Sequence, residues 1–487
     1  MRIPRWNVLV SGLLVLLYAV LTLQTAWQHE PWRDEAQPWL VARDTSLPEL
    51  FGELRYEAHP GLWYLILFPF AKLGFPYITV GIVHWLLAVV TVALFLWKAP
   101  VPWLTKVVFI FSYYMFWQYV IDIRPYVVGI LLLFLIAWMY PRRFDRPIRY
   151  AGLIFLLFNS NVHSVVIGAA VAGAFAWEAW KGKKLNPRVV AALALMGLGV
   201  IALGLQVGFA PPPDNMYEGR HILQYKPINI PNAIKDTFYI GCGPAEYLYA
   251  PAIITLLVCL LALADRPVPL LIVLAHLAWL FFLMARVTPG IRHNGLILAA
   301  LFFAFWIAPA CDAPRKPWFQ KWVAWLPEYR ARVLAAMTAL TVAFMISSGH
   351  GFRMHYLERK LDYSGCKVLA DFLKANPVLL QFPIAAHRHA HLASALPYLP
   401  GVKFWYAGLG QFATYVHQDI RHTQADTLPQ AEIMRRIEKQ FLPPAPVLAL
   451  LSSPLDPVAY PLYRLIFKVD NTVFGSDEAF YLYARGL

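Results

Sequence analysis

Runs of about 20 mostly apolar residues, each long enough to cross a bilayer as a helix, recur through the first 350 positions of this chain. A polypeptide in hydrocarbon must satisfy its own backbone polar groups, so such runs fold as helices. Twelve candidate spans can be read, at 8–27, 61–76, 78–97, 104–121, 125–140, 148–162, 163–180, 188–208, 249–264, 267–285, 291–310 and 331–349. The expected fold is therefore an all-α polytopic membrane protein. Composition agrees: 59% of the residues are hydrophobic and 14% charged, where soluble chains carry about 25% charged residues.

The formal net charge of +14 suggests nucleic acid at first sight. The basic residues instead gather in short loops between apolar runs: Arg142, Arg143, Arg146 and Arg149; Lys181, Lys183 and Lys184; Arg315, Lys316 and Lys321. That is the positive-inside pattern, which makes the partner a lipid bilayer and excludes a nucleic-acid role. The first apolar run follows Arg2 and Arg5. It lacks a small-x-small cleavage site, so it reads as a retained helix entering from the cytoplasm rather than a signal peptide. Twelve crossings from an inside N-terminus leave the C-terminus inside, whereas the basic loops place the last 135 or so residues outside. The loops outweigh the span count and favour 13 crossings. The miscounted segment falls between 61 and 125, where Gly74-Phe75-Pro76 and Arg124-Pro125 interrupt apolar runs. A broken or re-entrant stretch there must be buried by protein or line a cavity.

The expected organisation is a transmembrane catalytic domain over 1–350, with external loops at 28–60 and 209–248, and a soluble α/β domain over 351–487. The region 43–50 reads as short interfacial helices. The stretch 209–248, opening on Pro211-Pro212-Pro213-Asp214-Asn215, has the length of a binding loop. The tail carries a helical pattern at 366–375 and short apolar runs at 378–384 and 447–451. No Walker sequence, GxGxxG, repeat or low-complexity tract is present. The four cysteines, Cys242, Cys259, Cys311 and Cys366, have no metal-ligand spacing, and a Cys242–Cys366 disulfide is neither favoured nor excluded.

Chemistry concentrates at the membrane boundaries. Asp34 and Glu35 sit in Trp32-Arg33-Asp34-Glu35-Ala36-Gln37-Pro38-Trp39, and Glu57 and His59 in Leu54-Arg55-Tyr56-Glu57-Ala58-His59-Pro60. Adjacent helical residues diverge by about 100°. One of Asp34 and Glu35 can then face a reaction while the other orients the loop through Arg33 or Arg43. A general base must reach within about 3 Å of its proton donor, and the sequence places Asp34 and Glu57 on one membrane face without placing them in contact. A solvated loop is the competing reading for these acids. Asp122 and Arg124 either pair with each other or leave Arg124 to clamp a phosphate. Arg286, Arg292 and His293 form a far-side basic group that needs a counter-ion, either a phosphate or one of the first-loop acids. Lys226, Arg353 and His355 are weaker members of the same set, and His163, in the polar turn Asn159-Ser160-Asn161-Val162-His163 that joins two apolar runs, is a further candidate. His387, His389 and His391 resemble a metal-binding tract, but without a carboxylate at ligand spacing they read as surface residues. Carboxylates with histidine suit a divalent cation, and the ligand set is too incomplete to assign one. Trp32, Trp39, Trp63, Trp405 and Tyr406 either stack on a sugar or simply pack.

The Asp-Glu pair after a first helix, the Leu54-Arg55-Tyr56 stretch with Pro60 before the second apolar run, the many further spans and the soluble tail resemble the GT-C glycosyltransferases. The resemblance is greatest to the lipid A aminoarabinose transferase and protein O-mannosyltransferase branch, and it covers roughly residues 1–350. It implies a polyprenyl-phosphate-linked sugar as donor, a glycolipid, polysaccharide or protein as acceptor, and catalysis at the periplasmic face of a bacterial inner membrane. Asp34 matches the family's first-loop acid and Glu57 its second. Arg124 and Arg292-His293 resemble the basic residues that hold the lipid phosphate. Where the aminoarabinose branch has a lysine and two prolines after the second acid, this chain has Ala58-His59-Pro60-Gly61, so the sugar and the division of roles between Glu57 and His59 stay open.

The mechanism implied is inverting transfer, with Asp34 taking the acceptor proton while Arg124, Arg286 and Arg292 neutralise the departing phosphate. A lipid-linked glycan transporter or flippase would use the same basic patch without bond chemistry, and should show symmetric halves or paired broken helices. A structural subunit would leave the far-side acids and arginines without a task.

Overall fold

A computed structural model describes residues 5–57, 59–208, 212–216, 226–286, 290–311, 313, 324–472 and 478–487. Arg315, Lys316 and Lys321 of the third basic loop, Pro211 of the long external stretch, and residues 287–289 beside Arg286 lie outside the described residues. The protein is mostly helical, with a small C-terminal sheet.

Among the described residues, eight helices are long and apolar enough to cross a membrane: Asn7–Gln28, Thr79–Lys98, Val162–Lys181, Pro187–Gly208, Ala245–Ala262, Pro267–Arg286, Ile291–Ala310 and Tyr329–Glu358. Four of the twelve expected spans, at 61–76, 104–121, 125–140 and 148–162, form shorter helices than that. Hydropathy measures apolar length and does not register where the helical ladder stops. The run at 61–76 forms only Leu62–Lys72, about 16 Å long, and the chain turns at Gly74 with φ 75°. The run at 148–162 stops at Phe158, where Asn159, Ser160 and Asn161 turn their side chains onto local backbone and hydroxyl groups. The run at 125–140 forms the helix Tyr126–Met139.

The run at 104–121 breaks most completely. An α-helix over Trp103–Ile110 gives way to a π-helical turn at Tyr114–Gln118, and the chain continues irregularly to Pro125. Every residue from Ser112 to Ile123 is buried. Non-helical backbone at this apolar stretch is thus enclosed by protein, the condition under which such a break is tolerated.

The chain divides into two compact units. The first comprises Met1–Ala26, Val83–Leu205 and His221–His355; the second comprises Trp27–Ile82, Gln206–Arg220 and Tyr356–Leu487. In the first unit the helix Ile291–Ile307 is buried from Asn294 to its end. Phe302 and Trp306 pack there against Phe95, and Phe302 also meets Phe109. Gly295 lies against Tyr114 and the Tyr119 hydroxyl, where a β-carbon would collide with both. The stretch 209–248 is not a simple loop, because Asn229–Tyr239 is helical and buries Ala233, Ile234 and Phe238.

In the second unit the first external region folds as two short helices, Arg33–Asp44 and Leu47–Glu53. It belongs to the same unit as the tail. There, strands β1 (Ile384–Ala386), β2 (Phe404–Tyr406), β3 (Gln411–Ala413), β4 (Val447–Leu451), β5 (Arg464–Val469) and β6 (Phe480–Arg485) form one sheet in the order β3-β2-β1-β4-β6-β5. β1 runs parallel to β2 and β4, and the remaining pairs are antiparallel. β4 is buried along its whole length, as expected of a central strand covered on both faces. The amphipathic helix Gln430–Gln440 presses Ile433, Met434 and Ile437 into the core shared with Val447, Ala449 and Leu451.

Candidate functional site

Asp34, Glu35, Glu57 and His59 fall in the second unit, and Asp122, Arg124, His163, Lys226, Arg286, Arg292, His293 and Arg353 in the first.

The helix Arg33–Asp44 begins where Trp32 is extended, with φ −85° and ψ −179°. Glu35 reaches back to accept the Trp32 backbone N–H at 2.9 Å. Two acids in the first turn also complement the positive end of the helix dipole. Glu35 is fully buried, and its carboxylate lies 3.0 Å from Nε2 of His29, whose Nδ1 is 2.6 Å from Glu358. Burial opposes a charge on His29, but the flanking carboxylates of Glu35 and Glu358 outweigh it and hold the imidazole well above its usual value. The resulting Glu35–His29–Glu358 triad anchors the helix start. Glu35 is held by His29, while Arg43 holds Asp44 through two hydrogen bonds of 2.7 and 2.8 Å.

Asp34 points elsewhere. Its side chain is one-third exposed, with a carboxylate oxygen 3.8 Å from Nε of Arg33. Arg33 is itself fixed, its backbone N–H donating to the buried Glu478 at 2.9 Å and its Nη1 to Nε2 of His391 at 2.6 Å. Pro38 has no N–H to offer the Asp34 carbonyl four residues back. One turn along, on the same helix face as Asp34, the Gln37 amide donates to Glu57 at 2.8 Å and binds both backbone groups of Val416. Glu57 is thereby drawn to the Asp34 face of the helix. His59 is half-buried in the turn that leads to Gly61, whose N–H donates to Gln206 at 2.7 Å; Ala58 lies outside the described residues.

In the first unit the helix Ile291–Ile307 opens with Arg292 and His293. His293 accepts the Gly290 N–H on Nδ1 at 3.2 Å, and its Nε2 meets the Tyr126 hydroxyl at 2.9 Å. The His163 ring stacks on His293 with centroids 4.3 Å apart and planes 22° apart. Tyr119 donates to the Arg292 carbonyl at 2.7 Å. Nε2 of His84, on the helix Thr79–Lys98, lies 3.2 Å from the Arg124 carbonyl oxygen and 3.3 Å from its backbone nitrogen. The charges of Arg124 and Arg292 both act on His163. Arg292 and His293 thus open the helix Ile291–Ile307, with His163 stacked on His293 and the Arg124 guanidinium close enough to act on His163, and the N-terminus of a helix suits an anion.

Asp122 accepts from Gln118, which in turn accepts the Tyr113 hydroxyl at 2.8 Å. Arg286 lies over the Phe282 ring at 5.6 Å. Lys226 is exposed, with its backbone N–H on the Ala285 carbonyl, and Arg353 is exposed on the helix Tyr329–Glu358.

The histidine tract is not a surface feature. His387 and His389 are 7% and 1% exposed, because the chain leaving β1 turns inward at Arg388 with φ 61°. Asp426 caps the turn by accepting the His389 and Ala390 N–H groups. Among the described residues no group of three or more His, Cys, Asp or Glu side chains is arranged to hold a metal ion. Trp39, Trp63, Trp405 and Tyr406 are buried and pack, while Trp32 lies beneath the Arg33 guanidinium. The four cysteines are free thiols.

Sequence reasoning missed His29, Gln37, Tyr126, Glu358 and Glu478. His29 and Gln37 flank the acidic pair and Tyr126 follows Arg124-Pro125, so proximity was an available signal for these three. Nothing local marks Glu358 or Glu478. No protein-family model matches this chain, and no curated protein matches it.

Proposed function

We propose that this protein is a glycosyltransferase of the GT-C type, transferring a sugar from a polyprenyl-phosphate donor to a hydroxyl of a glycolipid, polysaccharide or protein acceptor. The observation that carries this reading is the basic group of Arg124, Arg292, His163 and His293 at the start of the helix Ile291–Ile307, beside a buried and broken apolar segment. It combines fixed dipoles with guanidinium groups, the chemistry that recognises a phosphate. The carboxylate this reading calls for is taken to be Asp34, whose side chain is one-third exposed at the start of the helix Arg33–Asp44.

In the proposed reaction the acceptor hydroxyl gives its proton to Asp34 as its oxygen bonds to the anomeric carbon. The bond from that carbon to the phosphate oxygen breaks, and polyprenyl phosphate departs with the electron pair. Arg124 and Arg292 stabilise the charge that develops on the leaving oxygen. In-line displacement inverts the anomeric configuration. The expected setting is a bacterial inner membrane with the chemistry at its periplasmic face.

Purified protein is incubated with radiolabelled polyprenyl-phosphate sugars and a membrane lipid extract, alongside Asp34→Asn. Labelled product that is lost in the variant supports transfer and identifies donor and acceptor class. Binding of the lipid with no donor consumed across a broad sugar panel overturns it in favour of a lipid-linked glycan transporter.

A further inference from the structure

Two of the basic loops meet in space. The segments 141–149 and 181–188 both lie in the first unit. Lys184 of the second places its Nζ 4.4 Å from the centre of the Phe144 ring in the first, and Phe144 stacks on Phe175 at 4.9 Å. The helices that follow the two segments, Pro147–Phe158 and Pro187–Gly208, run side by side. Gly199 lies against Phe155 and Phe158 so closely that a β-carbon there would come within 3.0 Å of the Phe155 Cα. Both helices therefore start at the end where Val162–Lys181 stops.

Cations are in excess at this end. Arg143 is committed to Glu178 at 2.7 Å. Arg146, Arg149, Lys181, Lys183, Lys184 and Arg188 are exposed, and Asp145 is the one acid in the two segments. The turn after Lys181 is fixed. The Lys183 N–H donates to the Trp180 carbonyl at 3.1 Å and the Lys184 N–H to the Ala179 carbonyl at 2.8 Å, which is the Schellman pattern. Lys183 fills the left-handed position of that motif with φ 51°, where glycine is favoured. A charge is thus kept where the backbone alone would select glycine. Beside it Trp177 and Trp180 are exposed with ring centroids 5.2 Å apart, and Leu185 and Val190 are exposed as well.

We propose that this end of the first unit binds an acidic phospholipid of the phosphatidylglycerol class, its phosphate drawn to the joined segments and its acyl chains along Trp177 and Trp180. Guanidinium and ammonium groups donate charge-assisted hydrogen bonds to phosphate oxygens. Each lysine or arginine near an anionic leaflet adds to the attraction, and a zwitterionic headgroup brings its own cation to the same surface and gains less. Tryptophan at the end of an apolar helix sits at headgroup level. A soluble anion would use the charges but leave the tryptophans, Leu185 and Val190 in water. Charge beside exposed apolar surface fits a charged head joined to hydrocarbon chains.

The full-length protein is reconstituted in nanodiscs holding equal phosphatidylglycerol, phosphatidylethanolamine and phosphatidylcholine. It is then released into detergent, and retained lipid is read by native mass spectrometry. Phosphatidylglycerol is expected at about tenfold over either zwitterionic lipid, a difference of about 1.4 kcal/mol. The triple variant Arg146→Gln, Arg149→Gln, Lys183→Gln leaves the Lys184–Phe144 contact in place. It should bring the ratio near unity with an unchanged unfolding midpoint. Removing three exposed charges of the second unit instead, by Lys403→Gln, Lys439→Gln and Arg464→Gln, should leave the preference intact. Glycerophosphoglycerol, the same headgroup without chains, should not displace the lipid at equal concentration. Equal retention of the three lipids overturns the proposal, as does a first triple variant that retains phosphatidylglycerol as the wild type does. An equal loss in the second triple variant overturns it in favour of net charge alone, and displacement by glycerophosphoglycerol in favour of a soluble anion. The readout uses no sugar donor, so it stands or falls apart from the transferase reading.

Discussion

Nε2 of His29 lies 3.0 Å from the Glu35 carboxylate, and both side chains are closed off from solvent. That pairing divides the two adjacent acids: Glu35 fastens the helix Arg33–Asp44, and Asp34, one residue earlier, is left one-third exposed. Removing one partner of a buried ion pair leaves a charge uncompensated, at a cost of about 3–5 kcal/mol. Glu35→Ala should therefore lower the thermal unfolding midpoint strongly, whatever it does to activity. A midpoint equal to the wild type would show that the triad does not anchor this helix.

The same triad makes stability depend on pH. The His29 imidazole is held well above its ordinary value by Glu35 and Glu358 against the opposing effect of burial. Its folded value thus exceeds its unfolded one, about 6.5. The stabilisation is whole below that unfolded value and is lost as pH rises through the folded value. The wild-type midpoint should fall between neutral and alkaline pH, and His29→Gln should flatten the decline. Parallel declines in the two proteins would remove His29 as the cause.

Asp34→Asn tests the proposed base. Losing a positioned general base costs about 10²–10⁴-fold in rate. Because Asp34 is partly exposed and not part of the triad, its stability change should stay within about 0.5 kcal/mol. Turnover of labelled donor and the unfolding midpoint, measured on one preparation, separate these effects. Undiminished transfer by a folded Asp34→Asn protein would exclude Asp34 as the base.

The divergence of Asp34 and Glu35 was legible in the sequence because helical geometry forbids adjacent residues from pointing at one atom. The break near Arg124-Pro125 was legible too, since proline cannot continue the ladder. The partners that set each acid's role were not. His29 meets Glu358 across 329 positions and Arg33 meets Glu478 across 445, and such pairings leave no local periodicity. The inward turn of His387 and His389 was hidden for a related reason. A polar tract at the end of a short strand reads as surface until the left-handed Arg388 and the Asp426 cap are known. The short helices within the expected spans were hidden because apolar length continues through Asn159 and Gly74, where helices do not.

The basic group yields the last prediction. Arg124 and Arg292 both lie close enough to act on His163, which stacks on His293 at 4.3 Å. If an anionic lipid phosphate is the counter-ion, each guanidinium contributes charge-assisted hydrogen bonds worth about 1.5–3 kcal/mol. Arg124→Gln or Arg292→Gln should then weaken binding of polyprenyl phosphate roughly 10- to 100-fold. The corresponding lysine variants should restore only part of it, because a lysine keeps the charge but loses the planar fork. Lys226→Gln, at an exposed position, should change binding little. Lipid affinity measured on the purified protein in detergent ranks these variants directly. Equal affinity across the set would mean that the basic group serves the fold, and the phosphate site would have to be sought elsewhere.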